Sequence, residues 1–228
     1  MKVSLGPRDV WYLVPPLLAS GIASMASKVT PFSPRTPAVH GLEGDVVSLF
    51  QTVTHPGLTA FFVLVYVGFY PLLLGLTYLG LKREPGNRHV DYAATYTAVV
   101  LISTPLFYFA PVGVTGYFLE GVEPLLYEGS SVVGSIVTSV DTLQKAMPSL
   151  HLGLAAVASL HAPRGYRFLS WAATGLIALS TLYLGIHWVT DLIVGGTIAY
   201  GCYISGPLVR AHVHDRREPA PADAVRGD

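Results

Sequence analysis

The sequence predicts an all-α protein, a polytopic membrane bundle of about six transmembrane helices. Three observations carry this. Charged residues make up 12% of the 228 residues and hydrophobic ones 51%, with a mean hydropathy of +0.50. A soluble domain carries about 25% charged residues. The charges also leave four stretches empty, at 58–81, 92–119, 146–163 and 168–190. A bilayer is crossed by about 20 apolar residues in a helix. These runs are too long for barrel strands and lack their two-residue alternation. The composition excludes other classes too. The apolar fraction is too high for a disordered chain. Fourteen Lys and Arg balance fourteen Asp and Glu, without the basic excess of a nucleic-acid binder. Cys202 is the only cysteine, which rules out an internal disulfide and a Cys-based zinc cluster.

Helices are expected at 10–27, 58–81, 91–111, 147–162, 167–184 and 187–209 within one integral-membrane catalytic domain, 1–210. The first holds Pro15 and Pro16 and follows Lys2 and Arg8; a signal peptide cleaved near Ser24-Met25-Ala26 would look similar. A retained helix is preferred, because without it the number of spans is odd. Residues 28–40, with three prolines, read as an extended connector. Residues 112–146 form a long external segment, and 211–228 a disordered cytoplasmic tail. Six spans place eleven basic residues on one side: Lys2, Arg8, Lys82, Arg83, Arg88, Arg164, Arg167, Arg210, Arg216, Arg217 and Arg226. Lys28, Arg35 and Lys145 fall on the other, with Glu43, Asp45, Glu120, Glu123, Glu128 and Asp141. The basic side is expected to be the cytoplasm, with both termini there. The expected location is the plasma membrane.

One charge lies well inside an apolar stretch. Asp191 falls four residues after His187, and an ionisable group at that depth is a functional candidate. Residues four apart share a helix face, so the two meet if the last helix begins near His187. Gly185 is placed to end the helix before it. A second feature is Met147-Pro148-Ser149-Leu150-His151. Pro148 in a first turn, the free amides there and the Ser149 hydroxyl make an anion cradle, with His151 close by. The turn Arg164-Gly165-Tyr166-Arg167 lies near the midpoint between His151 and His187. Two antiparallel helices therefore return both histidines to one height, on the external side.

A histidine oriented by a carboxylate is a competent nucleophile. Asp191 would accept the Nδ1 proton of His187, and Nε2 would attack phosphorus to form a phosphohistidine. His151 would protonate the departing alkoxide and then deprotonate the acceptor, water or another alcohol. No metal and no cofactor is required. Lys145 and Ser149 lie near enough to contact an anionic substrate. His55 and His161 read as polar links between helices, and the tyrosines Tyr66, Tyr70, Tyr78, Tyr92, Tyr96 and Tyr108 as packing and interface belts.

The run from Ser180 through Thr181, Tyr183 and Gly185 to His187 and Asp191, preceded by Pro148-Ser149-Leu150-His151, resembles the type 2 phosphatidic acid phosphatase superfamily. The resemblance covers roughly 90–209. It implies six membrane helices, His187 as nucleophile, Asp191 as its partner and His151 as acid/base, with Thr181 and Tyr183 in the substrate-binding motif. Where the phosphatase branch has an Arg after the motif serine, this chain has Thr181, and the upstream Lys-x6-Arg-Pro motif is absent from 90–147. The chain is similar to the inositol phosphorylceramide synthase-like, inositolphosphotransferase-like branch, which reads Ser-Thr-x-Tyr-Leu before its His-x3-Asp and Pro-Ser-Leu-His in the earlier motif. The implied activity is transfer or hydrolysis of a phosphate-containing lipid headgroup, with a membrane lipid phosphate as substrate and a polyol or water as acceptor. A proton-coupled transporter would also use a buried His/Asp pair, but would show inverted repeats and broken helices in both halves. A haem or quinone protein would use the two histidines and leave Asp191 without a role.

Overall fold

The computed structural model describes residues 7–127 and 142–215. Among these, eight α-helices and no strand are found. They are α1 (Pro7–Lys28), α2 (Thr36–Glu43), α3 (Pro56–Leu64), α4 (Tyr70–Lys82), α5 (Arg88–Phe109), α6 (Leu150–His161), α7 (Arg167–Tyr183) and α8 (Val189–Asp215). Short 3-10 turns lie at Val46–Gln51 and Thr115–Tyr117. By length and hydropathy, the run Pro56–Lys82 and helix α5 can each cross a bilayer. Helix α6 has 12 residues, about 18 Å of rise against a hydrocarbon core of about 30 Å.

Three expectations change. Residues 28–40 are not wholly extended, because α2 begins at Thr36, with Pro37 in its first turn where a missing N–H costs nothing. The tail is helical as far as Asp215; its remainder, 216–228, lies outside the described residues, as do Lys2, Glu128 and Asp141. The second expected helix carries a π segment, Val65–Phe69, in its middle. The local cause is Pro71, which has no N–H for the carbonyl of Val67 and whose ring would strike it in a regular turn. The wider turn, with Tyr70 N–H reaching Val65 C=O, takes up the misfit.

Helix α1 lies along α5, with Ala19 and Ala23 buried and Ser20 Oγ 3.4 Å from the Tyr96 hydroxyl. Small residues allow this close approach where lipid offers no hydrophobic gain. Helix α6 packs against both α7 and α8, and these three helices with the turns at their ends carry the motif residues. A close crossing lies at Gly195 on α8, where an added Cβ would lie 2.3 Å from the Ser149 carbonyl oxygen. Gly195→Ala must therefore push the α6 and α8 backbones away from each other. A loss of about 1–3 kcal/mol is expected, read as a lower unfolding temperature of the detergent-solubilised protein.

Candidate active site

Helix α7 stops at a left-handed residue. Gly185 has φ +68° and donates to Leu182 C=O at 3.1 Å, while Ile186 N–H returns to Thr181 C=O at 3.0 Å. Any side chain at 185 would meet the Glu123 carbonyl, since a Cβ would lie 2.5 Å from it. Only glycine meets both demands. The chain turns there and presents His187 just before α8 begins.

His187 is thus not on the last helix, as the i, i+4 argument expected, but in the turn preceding it. The pair forms by another route. Trp188 is the residue flanking α8, and Asp191 is the third residue inside it. The Asp191 carboxylate folds back, so that Oδ2 accepts the Trp188 backbone N–H at 2.8 Å and faces His187 Nδ1 at 3.2 Å. This is the backward reach of a capping box, with one carboxylate oxygen serving the backbone and the imidazole together. His187 is 3% exposed and Asp191 0%.

The other ring nitrogen, Nε2 of His187, lies 3.4 Å from Nδ1 of His151, with ring centroids 5.7 Å apart. An Nδ1–H donated to Asp191 leaves Nε2 as an acceptor, and the partners define this tautomer. Helix α6 opens at Leu150 rather than at 147. Pro148 therefore precedes the helix, and Ser149 is its cap, accepting Leu152 N–H at 3.3 Å. The Ser149 amide donates to the Asp191 backbone carbonyl at 3.0 Å, which ties the two motif segments together.

A small pocket opens between the histidines and is lined by Lys145, Thr142, Tyr127 and Ile186. The Lys145 ammonium also sits over the Phe107 ring, 5.4 Å from its centroid. The other two residues implicated by the motif lie elsewhere. Thr181 is fully buried, and its hydroxyl donates to Ala178 C=O at 2.8 Å. The Tyr183 hydroxyl lies 3.1 Å from Thr59 Oγ1, on the side of α3. Both hold the turn: Thr181 through its carbonyl, and Tyr183 through a carbonyl that accepts from Gln51 Nε2 at 2.7 Å.

Sequence reasoning missed three neighbours. Tyr66 and Tyr70, read as belt or packing residues, flank His151 with ring centroids at 4.4 and 4.8 Å. Glu43, read as one of several external carboxylates, caps α8. His161 links two helices, as expected, with Nε2 bonding Thr95 Oγ1 on α5, whereas the His55 side chain caps its own helix, α3, by accepting Gly57 N–H at Nδ1.

The sequence profile of the PAP2 superfamily matches residues 40–205, a span holding every residue of this arrangement. The chain belongs to the PAP2 superfamily. No curated protein and no solved structure matches it. Membership of this membrane family, together with the apolar helices, makes the chain a membrane protein and supports an activity of the phosphatase or phosphotransferase type. The match reaches upstream to residue 40, well before the two motifs, and so takes in the second half of α2 and the Val46–Gln51 turn.

Proposed function

We propose that this PAP2 superfamily chain is an integral-membrane lipid phosphotransferase or phosphatase working through a phosphohistidine on His187. One observation carries the reading: the His187 imidazole is held between a buried carboxylate at Nδ1 and a second imidazole at Nε2. The Nε2 lone pair attacks phosphorus as the bond to the leaving alkoxide breaks, and His151 Nδ1 gives that alkoxide a proton. His151 then takes a proton from the acceptor hydroxyl, whose oxygen attacks phosphorus and breaks the N–P bond. The phosphoryl group enters where the two rings now face each other. Lys145 lines that position, and Ser149 caps the start of α6 beside it. Thr181 and Tyr183 support the turn behind it.

The inositolphosphotransferase-like assignment rests on Thr181, which puts a neutral, internally bonded hydroxyl where the phosphatase branch carries a cation. The topology that accompanies this reading has the site on the extracytoplasmic side of the plasma membrane and both termini in the cytoplasm. The test supplies a lipid phosphate in mixed micelles with and without inositol. Transfer product in the presence of inositol supports the transferase. Free phosphate without it supports hydrolysis, with water as acceptor. Absence of both products would overturn the proposal. Lys145→Ala is expected to lower kcat/KM by about 10–100-fold through loss of a charge-assisted contact, read from initial rates over a range of lipid mole fractions.

A further inference from the structure

The N-terminus of α8 has an unusual cap. Trp188 flanks the helix and has no side-chain oxygen with which to hold its first amides. Asp191, which sits where a capping carboxylate would, is committed to Trp188 N–H and His187. The missing acceptor comes from far away in sequence. Glu43, at the end of α2, accepts Val189 N–H through Oε1 at 3.0 Å. Its Oε2 accepts Thr190 N–H at 2.7 Å and the Thr190 hydroxyl at 2.6 Å. Helix α2 is also secured at its other end. The Thr36 hydroxyl accepts Gly113 N–H at 2.8 Å, and the carbonyl of Gly113 accepts the Trp188 indole N–H at 2.9 Å. The Arg35 amide bonds Pro111 C=O at 2.7 Å. Glu43 thus reaches α8 from a helix anchored to the same turn that carries His187.

We propose that Glu43 is a positioning residue for phosphoryl transfer, fixing the first turn of α8 and through it the Asp191 carboxylate that orients His187. This rests on the phosphohistidine reading above. Three donors on two consecutive residues hold the helix start in direction as well as in place, and Asp191 is the next residue. A negative charge also suits a helix N-terminus. A displacement of about 1 Å at reacting groups costs on the order of a hundredfold in rate. Loss of Glu43 should therefore lower kcat and leave KM nearly unchanged, since Glu43 does not line the pocket beside His151 and His187.

The experiment compares wild type, Glu43→Ala, Glu43→Gln and Glu123→Ala in micelles. Each is measured for kcat, KM, unfolding temperature and affinity for orthovanadate, a mimic of five-coordinate phosphorus. The expected result is a kcat for Glu43→Ala about 10–100-fold below wild type, KM within about twofold, and weakened orthovanadate binding. Glu43→Gln, which keeps one acceptor oxygen, should fall between. Glu123→Ala, whose backbone rather than side chain contacts Gln51, should match wild type. Wild-type kcat per folded molecule in Glu43→Ala, even with a lowered unfolding temperature, would overturn this proposal and leave the reaction intact. A wild-type protein that neither turns over lipid phosphate nor binds orthovanadate would overturn both.

Discussion

His187→Ala is expected to reduce turnover by at least about ten-thousand-fold while the protein stays folded. The imidazole stands between Asp191 and His151, and without it the two-step reaction loses the atom that carries the phosphoryl group. His151 cannot take over: its Nδ1 is aimed at His187, and its ring is bracketed by Tyr66 and Tyr70. Folding should survive, because Asp191 Oδ2 keeps the Trp188 N–H and Glu43 keeps the helix start. Initial rates and circular dichroism of the purified variant check both halves. An acid-labile, base-stable phosphoryl label present on wild type and absent from the variant would place the intermediate on this ring. Near-normal turnover would end the mechanism.

Asp191→Asn is the second large effect, a fall in kcat of about a hundredfold to ten-thousandfold. The substitution nearly preserves shape. An amide oxygen can still accept the Trp188 N–H, and the new amide nitrogen would occupy the place of Oδ1, a buried atom with no hydrogen-bond partner among the described residues. What disappears is the negative charge. As Nε2 forms its bond to phosphorus, the ring becomes cationic, and a carboxylate at Nδ1 stabilises that charge in a site with little water. An amide can also turn its N–H₂ toward the ring and impose the wrong tautomer. Asp191→Ala is a poorer test, since it leaves the Trp188 N–H buried without an acceptor and costs stability directly. Unchanged kcat in Asp191→Asn would remove the carboxylate from the reaction.

The helices were legible because charge-free runs and turn residues are local signals. Two helix starts differ from the expected ones at their caps: α6 begins after Ser149, and α8 after Trp188. Each shift has a local reason, since a serine cap and a capping carboxylate both stand at the edge of the helix they serve. The meeting of His151 and His187 followed from chain length and antiparallel helices, and the rings do lie in contact. The manner in which His187 meets Asp191 was not legible. Four-residue spacing fits a shared helix face, but it fits equally a carboxylate in the first turn reaching back past the cap. Glu43, Tyr66 and Tyr70 were hidden for a different reason: their partners are remote in sequence, and no periodicity encodes a contact across 146 residues. Two weaker signals did exist. A tryptophan at a helix start implies an acceptor from elsewhere, and Pro71 after an unbroken apolar run implies a disturbed turn.

The Gln51 and Glu43 contacts have a consequence for how the protein is made. Gln51 must find the carbonyl of Tyr183, and Glu43 the amides of Val189 and Thr190, which leave the ribosome on the order of ten seconds later. Throughout that interval an early acidic side chain waits for the amides it will hold. The chemistry can begin only when the final segment is inserted, so a product cut short by translation arrest would already hold most of the bundle and yet be inert.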